Sequence, residues 1–492
     1  MRGSLVLRTT LALVGCFGVV LLAPSAVEAA YGNGRSATGF LGAAVVAILL
    51  GLGSRLLPGR GLEMRRMEGL ATVGMSWLLL VLVGAAPYVV NGFEPADALF
   101  ESMSGLTGTG ATILTDFDAA SEGVLLWRSL SEWVGSMGII ALFIAVLPAL
   151  RIAGRQMFFA EAPGPTEERL TPRIRNTAVA LYTLYVGLTV LETGLLVRLG
   201  MPLFDAVCNS LSTVSAGGFS PHPSSIAGYS SPAIEWTVMA FMLLAGANYA
   251  FQFQAIRGRP LTLLRSEEFR LYLLIVLVAT LLLACTLKSD DVSLWDWIRA
   301  GALSEETLRR AGFQALTLIT TTGFATEDFA LWSGASQTIL LLLMFCGGCG
   351  GSAAGGPKLV RIWLIAKSSL LELFHTVFPR AVRPLRLDGR RVPEDVIHAI
   401  VSFLLLYLVL FALSVGVVGL TGVGMETAVT ASIATLGNIG PGLGDVGPFD
   451  NYAHFPAAIK VYLSLNMWIG RLEIITVLIF LHPAAWLGLR WR

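Results

Sequence analysis

The sequence predicts an all-α polytopic membrane protein with about ten transmembrane helices, in which two extra N-terminal helices precede four pseudo-symmetric helix, loop, helix repeats. Three observations predict this fold class. Hydrophobic residues make up 55% of the 492 residues and charged residues only 14%, with a mean hydropathy of +0.72. Apolar runs of roughly 20 residues recur along the chain. One glycine-containing nonapeptide also recurs four times.

The predicted spans follow from the apolar runs. They lie near 5–24, 38–57, 69–91, 127–150, 176–199, 233–256, 269–287, 337–366, 396–420 and 456–487. The N-terminal run also has the pattern of a cleaved signal peptide, but an uncleaved first span fits the charge pattern better. Basic residues concentrate in alternate connecting segments, whereas 92–127, 201–235 and 421–455 contain no Lys or Arg. The positive-inside rule therefore predicts cytoplasmic N- and C-termini, with 288–310 as an exception.

Several function classes are excluded or disfavoured by composition. The net charge of +1 says nothing about nucleic acid by itself; the apolar composition makes membrane lipid the expected environment, and no nucleic-acid partner is expected. Five cysteines and five histidines are scattered over different segments, so no metal site is predicted. No nucleophile motif or Walker loop is present. The chain is therefore expected not to be an enzyme and to carry no cofactor of its own.

The repeated nonapeptides define the repeats. They read "SGLTGTGAT" from Ser104, "STVSAGGFS" from Ser212, "TLITTTGFA" from Thr317 and "ATLGNIGPG" from Ala434, each with glycine in the seventh position. Each follows a moderately apolar stretch that is too short to cross a bilayer. The predicted units are 1–66 (two extra helices), 67–160 (repeat 1), 170–262 (repeat 2), 266–378 (repeat 3) and 393–492 (repeat 4).

The nonapeptides allow three interpretations. A dinucleotide fingerprint needs a third glycine, and Ile113 stands three residues after Gly110. Helix packing alone needs glycines inside a span. A re-entrant loop remains, tolerated at membrane depth only where protein or water surrounds it. Glycine allows successive carbonyls to point toward one axis, so four such loops would surround one pore and hold a dehydrated alkali cation. The predicted filter residues are Thr107, Gly108, Thr109, Gly110, Ala216, Gly217, Gly218, Thr321, Thr322, Gly323, Asn438, Ile439 and Gly440.

The four turns resemble those of the Trk/Ktr/HKT superfamily of potassium transporters. Further similar segments are "EWVGSMGIIALFIAVLP" (132–148), "GGCGGSAAGGPKLVR" (347–361), "ATLGNIGPGLG" (434–444) and "MWIGRLEI" (467–474). The two extra N-terminal spans favour a TrkH-type subunit. The resemblance implies potassium uptake through a channel-like pore, with K⁺ at the filter carbonyls, in a homodimer of the cytoplasmic (inner) membrane. It also implies a cytosolic, nucleotide-binding TrkA-type regulatory subunit, for which the basic segment 358–391 is the predicted docking surface.

The resemblance further implies an intramembrane gating loop at 347–357. The predicted gating residues are Gly347, Gly348, Gly350, Gly351, Ser352, Gly355, Gly356, Lys358 and Arg471. A loop at the membrane edge and a structural ion pair of Arg471 are the alternatives. The first turn departs from the threonine run typical of the superfamily, and reduced selectivity is expected there. A poorly selective Na⁺/K⁺ pathway or a Na⁺-coupled K⁺ symporter is the alternative function. Six acidic residues in 92–127 would concentrate cations at the outer mouth, and an ordinary solvated acidic loop is the equal alternative; they are Glu94, Asp97, Glu101, Asp116, Asp118 and Glu122.

Overall fold

The computed structural model describes residues 2–58, 64–150, 170–287, 304–381, 383–472, 474 and 477. Arg60, Arg151 and Arg155, three basic residues of the connecting segments predicted to be cytoplasmic, lie outside these ranges, as does most of segment 288–310. So does most of the chain after Leu472. Within the described residues the chain is almost entirely helical, and the all-α polytopic membrane fold predicted from composition is confirmed. The repeat boundaries themselves stay a prediction.

The helices are numbered here in chain order. They are α1 (Gly3–Val20), α2 (Leu22–Ala30), α3 (Gly34–Gly53), α4 (Arg66–Val90), α5 (Pro95–Thr107), α6 (Glu122–Leu150), α7 (Leu170–Arg198), α8 (Leu203–Ser215), α9 (Pro232–Ala245), α10 (Tyr249–Ile256), α11 (Leu261–Arg265), α12 (Glu267–Thr286), α13 (Glu305–Ile319), α14 (Gly334–Met344), α15 (Leu359–Val377), α16 (Glu394–Gly419), α17 (Met425–Leu436) and α18 (Ala457–Arg471). Strands β1 (Arg386–Leu387) and β2 (Arg390–Arg391) lie between α15 and α16.

Six helical segments of the described chain are long and apolar enough to cross a membrane. They are Gly3–Ala30, Gly34–Leu56, Met67–Val90, Ala178–Arg198, Glu267–Thr286 and Glu394–Gly419. Helices α9 and α10 would form a further span but bend by 105° at a short break. The sequence predicts one continuous span at 233–256, so this break is a correction. A second interruption separates α14 from α15, inside the predicted span 337–366.

The two N-terminal spans pack closely against each other through small residues. Gly15 of α1 faces Gly51 of α3, and a Cβ atom added at either would lie less than 3.0 Å from the backbone of the other. Such close approach lets van der Waals contact hold helices together where lipid removes the hydrophobic driving force. The fully buried Phe40 of α3 also stacks edge-on against Trp127 of α6, which attaches this pair to repeat 1.

Four half-helices, α5, α8, α13 and α17, are too short to cross a membrane and point their C-terminal ends into the protein. Their N-terminal ends carry helix-start signals: Pro95 occupies the first turn of α5, and the Ser304 hydroxyl accepts from the Thr307 amide of α13 at 3.2 Å. Their last turns are buried throughout, from Phe100 to Thr107 in α5 and from Thr430 to Leu436 in α17. Protein therefore surrounds the non-helical backbone that follows each one.

The short hairpin between α15 and α16 is tied to the start of α12. Asp388 and Gly389 form its turn with φ of +47° and +79°, the two positive angles of a type I′ hairpin. The Glu267 amide donates to the Asp388 carboxylate at 2.6 Å, and the Asp388 amide donates back to Glu267 at 3.1 Å. Glu267 also pairs with Lys367 of α15. The hairpin, α12 and α15 therefore meet at one point.

Candidate functional site

Each half-helix ends in the same hydrogen-bonded turn. The amide of the sixth nonapeptide residue donates to the carbonyl of the first in all four repeats: Thr109 to Ser104, Gly217 to Ser212, Thr322 to Thr317, each at 2.9 Å, and Ile439 to Ala434 at 2.8 Å. The fifth amide likewise donates to the second carbonyl. These two bonds define a Schellman C-cap, whose fifth residue must adopt the left-handed conformation. The fifth residues Gly108, Ala216, Thr321 and Asn438 do so, with φ between +52° and +63°.

The seventh-position glycines interlock the four turns into a closed ring. Gly110, Gly218, Gly323 and Gly440 all have positive φ, between +76° and +99°. A Cβ atom added at each would lie less than 3.0 Å from a carbonyl oxygen of the next repeat: Gly217, Thr322, Ile439 and, closing the ring, Thr109. Each turn therefore contacts its successor in the order 1, 2, 3, 4, 1. The sixth-position carbonyls stand at the four junctions.

Three of the four fifth positions hold residues other than glycine in a conformation that costs on the order of 1 kcal/mol or more. Asn tolerates it best, and the Asn438 side-chain amide donates to the Thr109 hydroxyl at 2.9 Å and to the Met467 carbonyl at 3.0 Å. Thr321 is β-branched and is the clearest outlier. Its hydroxyl accepts from the Gly355 amide at 2.6 Å, so the strained residue is one that contacts the predicted gating loop.

Hydroxyl groups support the turns of the two opposite repeats, 1 and 3. Thr107 and Thr109 pair their hydroxyls at 2.7 Å, and Thr320 and Thr322 do so at 2.8 Å. In repeat 4 the Gly440 carbonyl instead accepts from the Tyr452 hydroxyl at 2.8 Å. The predicted filter residues of all four repeats are thus brought together, although their side-chain support differs from repeat to repeat.

A buried ion pair braces the turns of repeats 1 and 2 from behind. Arg128 of α6 donates to Glu101 of α5 at 2.7 Å, and the two side chains are only 2% and 0% exposed. Arg128 also donates to the Ser220 carbonyl at 3.1 Å and to the Thr112 hydroxyl at 3.0 Å. Its guanidinium stacks over Phe219. The Arg128 side chain therefore connects the segment that follows the turn of repeat 1 to the segment that follows the turn of repeat 2.

The prediction that six acidic residues of segment 92–127 concentrate cations at the outer mouth is wrong for two of them. Glu101 is buried and paired, and Asp97 pairs with Lys460 of α18 at 2.6 Å, so neither is a solvated charge. Asp116 accepts from the amides of Asp118 and Ala119 in a local turn. Carboxylates in this segment serve internal hydrogen bonds because the half-helix that carries two of them is packed inside the protein.

A second buried carboxylate lies directly behind the turn of repeat 2. Glu132 is fully buried, and its two oxygens accept from the Phe219 amide at 3.2 and 3.3 Å. Its carboxylate is so close to Gly217 that a Cβ atom there would lie less than 3.0 Å away. Glu132 therefore holds the backbone that leaves the turn of repeat 2.

The predicted gating loop fills the interruption between α14 and α15. Gly347, Gly351, Gly356 and Lys358 all have positive φ, between +69° and +75°. Within the loop, the Ser352 hydroxyl donates to the Cys349 carbonyl at 2.7 Å, Lys358 donates to the Ala354 carbonyl, and the Leu359 amide donates to the Gly348 carbonyl at 3.0 Å. The loop is thus an ordered element with its own internal bonds.

The break between α9 and α10 satisfies the backbone groups of this loop. The amides of Cys349 and Ala353 donate to the carbonyls of Gly246 and Ala245, at 2.9 and 3.2 Å. In return the Tyr249 amide donates to the Gly351 carbonyl at 3.2 Å. Polar backbone exposed at membrane depth needs such partners. The backbone groups left unpaired at the break in repeat 2 therefore form hydrogen bonds with backbone groups left unpaired in the loop of repeat 3.

Arg471 lies between the loop and the turns. Its guanidinium donates to the Ala353 carbonyl at 3.1 Å and to the Ser136 hydroxyl at 2.7 Å, and the residue is only 8% exposed. A Cβ atom at Gly108 would lie 3.7 Å from it. Within the described part of the chain no carboxylate pairs with Arg471. The structure therefore brings Arg471, the loop and the filter residues together.

Several residues of this site were missed from sequence. The break at Gly246 could have been found, because Asn248 follows two small residues and caps α10 by accepting from the Ala250 and Phe251 amides, at 2.8 and 3.1 Å. Glu268 gave no such signal. It stands in the first turn of an apolar helix, where an acidic residue is ordinary. The roles of Arg128, Glu101 and Glu132 depend on contacts between different repeats.

Comparisons with known proteins agree over nearly the whole chain. Residues 38–486 match the family model TrkH, described as a cation transport protein. The chain is 38% identical to the Trk system potassium uptake protein TrkH of Salmonella typhimurium, over 96% of this chain and 97% of the relative. It is 36% identical to the protein of that name from Halomonas elongata, over 98% and 99%.

A solved structure is similar throughout. The crystal structure of the potassium transporter TrkH from Vibrio parahaemolyticus superposes with a TM-score of 0.88 at 32% identity, over 99% of this chain and 100% of that chain. Sequence and fold therefore agree from one end to the other. This chain belongs to the TrkH family of cation transport proteins.

Proposed function

We propose that the chain is the translocating subunit of a potassium uptake system, conducting K⁺ through the ring of four turns. The observation that carries this is the closed interlock of Gly110, Gly218, Gly323 and Gly440 with the sixth-position carbonyls of the next repeat. It provides a ring of backbone oxygens at membrane depth, the ligand type that replaces the hydration shell of an alkali cation. The names of the relatives, potassium uptake proteins, support K⁺ as the ion.

The half-helices add to this site electrostatically. All four direct their C-terminal ends toward the turns, where the partial negative charge of each helix end favours a cation. The Schellman bonds and the inter-repeat contacts fix the carbonyls from behind, so they need little rearrangement when an ion binds. Transport by this route needs no catalytic residue and no cofactor besides the transported ion.

Flux measurements test the proposal. Purified protein in liposomes should take up ⁸⁶Rb⁺, a tracer for K⁺, faster than ²²Na⁺ under the same gradient. Comparable uptake of both ions would support the poorly selective pathway instead, and Rb⁺ uptake that requires external Na⁺ would support symport. If neither ion enters, even with the regulatory subunit added and Arg471 neutralised, the transport proposal fails.

The loop 347–357 and Arg471 are proposed as the gate. The loop is bonded to the filter residue Thr321 through Gly355 and to Arg471 through Ala353, which supports a position directly below the turns. A buried guanidinium in that place raises the barrier for a passing cation, since two unit charges 4 Å apart repel by about 4 kcal/mol at an effective dielectric constant of 20.

Neutralising Arg471 is expected to raise transport. Arg471→Ala should increase Rb⁺ flux by about tenfold or more, because it removes both the repelling charge and one bond to the loop. The comparison is made in proteoliposomes by ⁸⁶Rb⁺ uptake. Arg471→Lys, which keeps the charge, serves as the control and should stay near wild type. Unchanged flux in Arg471→Ala at wild-type yield would contradict the assigned role.

The remaining assignments follow the family resemblance. We place the protein in the cytoplasmic (inner) membrane as a homodimer with both termini cytoplasmic and with a TrkA-type nucleotide-binding partner. Five exposed arginines near the β-hairpin support a docking surface for that partner: Arg380, Arg383, Arg386, Arg390 and Arg391. Replacing Arg386, Arg390 and Arg391 with glutamate should abolish co-purification with the partner, while the chain itself still folds. Undiminished binding would remove the hairpin from the interface.

A further inference from the structure

Gly350, in the middle of the intramembrane loop, is held on both sides of its backbone. Its amide donates to the Glu268 carboxylate at 2.6 Å, and its carbonyl accepts from the Asn248 side-chain amide at 2.7 Å. Glu268 belongs to α12 and Asn248 precedes α10, so the two partners come from outside the interrupted helix. Both side chains are largely buried, at 4% exposure each.

Glu268 also holds the end of the loop. The carboxylate oxygen that accepts from Gly350 accepts from the Val360 amide at 3.1 Å. Val360 lies in the first turn of α15, a helix whose N-cap residue, Lys358, provides no side-chain cap. The first amides of a helix need an acceptor, and here another helix supplies it. One carboxylate oxygen thereby joins the middle of the loop to the helix that follows it.

Asn248 contributes a different kind of link. Its carbonyl oxygen caps α10, while its amide nitrogen donates to Gly350. The two ends of one side chain therefore connect the break in repeat 2 to the loop of repeat 3. Moving the loop away from the turns would break the bonds of both Glu268 and Asn248 in a buried setting, where unmade hydrogen bonds are costly.

We propose that Glu268 and Asn248, here called the Gly350 clamp, are positioning residues that hold the intramembrane loop in its closed place below the filter. The proposal rests on the gating function proposed above. In this proposal, α12 and the break in repeat 2 stabilise the closed position of the loop. The clamp bonds to the backbone of the loop and of the helix that follows it, so we expect it to control passage without altering ion preference.

The test combines flux with the accessibility of a native thiol. Cys349 precedes Gly350 and is 1% exposed, so it reports release of the loop once the other four cysteines are replaced by alanine. Glu268→Ala should raise Rb⁺ flux about tenfold or more, because it removes the acceptor of two amide hydrogen bonds, those of Gly350 and Val360. It should speed maleimide labelling of Cys349 similarly and leave the Rb⁺/Na⁺ ratio unchanged.

Two variants separate a clamp from a general structural role. Asn248→Asp keeps the oxygen that caps α10 but loses the donor to Gly350, so it should also raise flux and labelling, and it tests the proposal even if Glu268→Ala fails to fold. Glu268→Gln keeps an acceptor for both amides and should behave as wild type. Glu28→Ala is the matched control, since Glu28 is a fully buried carboxylate that binds Ser36, away from the loop.

The outcomes distinguish the clamp from the gate. If Arg471→Ala raises flux but Asn248→Asp and Glu268→Ala leave flux and Cys349 labelling at wild-type values, the clamp is overturned while the gate stands. If Glu268→Gln resembles Glu268→Ala, the acceptor role is overturned. If wild type moves no ion under any condition, the transport proposal fails, and Cys349 labelling still shows whether these two residues hold the loop.

Discussion

Gly110→Ser and Gly323→Ser are expected to abolish the preference for Rb⁺ over Na⁺. Both glycines have positive φ, +76° and +82°, a conformation that costs other residues about 1–2 kcal/mol. The added side chain would also meet the carbonyl of the next repeat, Gly217 or Ile439. The ring must open at that junction, so the Rb⁺/Na⁺ flux ratio should fall about tenfold or more in proteoliposomes.

A glycine outside the ring provides the matched control. Gly416 lies on the exposed face of α16 with open space around its Cα and no positive φ, so Gly416→Ser should keep the wild-type ratio. A normal ratio in both ring variants would show that selectivity does not reside in these turns. A ratio lost in Gly416→Ser as well would point to general misfolding.

Arg128→Met is expected to destabilise the protein strongly. It leaves the fully buried Glu101 carboxylate without its ion-pair partner, and breaking a buried pair typically costs about 3–5 kcal/mol. The Ser220 carbonyl and Thr112 hydroxyl lose a donor as well. A marked fall in the thermal midpoint of the detergent-solubilised protein, with reduced Rb⁺/Na⁺ selectivity in whatever folds, is the expected result.

The double variant Arg128→Met/Glu101→Gln separates the effect of the unpaired Glu101 charge from the effect of the lost hydrogen bonds of Arg128. Removing both charges should recover much of the lost stability, because the uncompensated carboxylate is then gone. Selectivity should recover less, since the bond to Ser220 stays absent. Glu306→Ala, which removes an exposed i,i+4 partner of Arg310, should change the thermal midpoint little. Additive losses in the double variant would contradict the assigned pairing.

Much of the fold could be predicted from the sequence, because membrane spans and glycine turns each depend on a short, continuous stretch of residues. Length and hydropathy located the six continuous spans of the described residues, and the common seventh glycine aligned the four turns. The alignment of the four nonapeptides did not reveal the backbone conformation of the fifth residue. Thr321 and Ala216 carry no glycine signal, and their left-handed backbone is imposed by the Schellman bonds of the half-helix. The hydrogen bonds of the helix cap overrode the conformational preference of these two residues.

The contacts between repeats were beyond local patterns for a physical reason. Arg128 pairs with a residue 27 positions away and also reaches Ser220, 92 positions away. Asn438 and Thr109 are separated by 329 positions. Hydropathy treats such charged and polar residues alike, as exceptions within apolar runs. Only the packing of the half-helices decides which are partnered inside the protein and which face water, as the acidic segment 92–127 shows.

The ring of turns also has a consequence for how this pore is tuned. In a pore assembled from four identical subunits, a single gene change alters four places at once. Here one chain supplies all four quarters, and the fifth position holds glycine, alanine, threonine and asparagine in turn. Thr321 accepts a hydrogen bond from the Gly355 amide of the loop, and a Cβ atom added at Gly355 would lie less than 3.0 Å from the Gly437 carbonyl oxygen of repeat 4. Movement of the loop at Gly355 therefore acts on the turns of repeats 3 and 4, and each quarter of the ring can change without its counterparts.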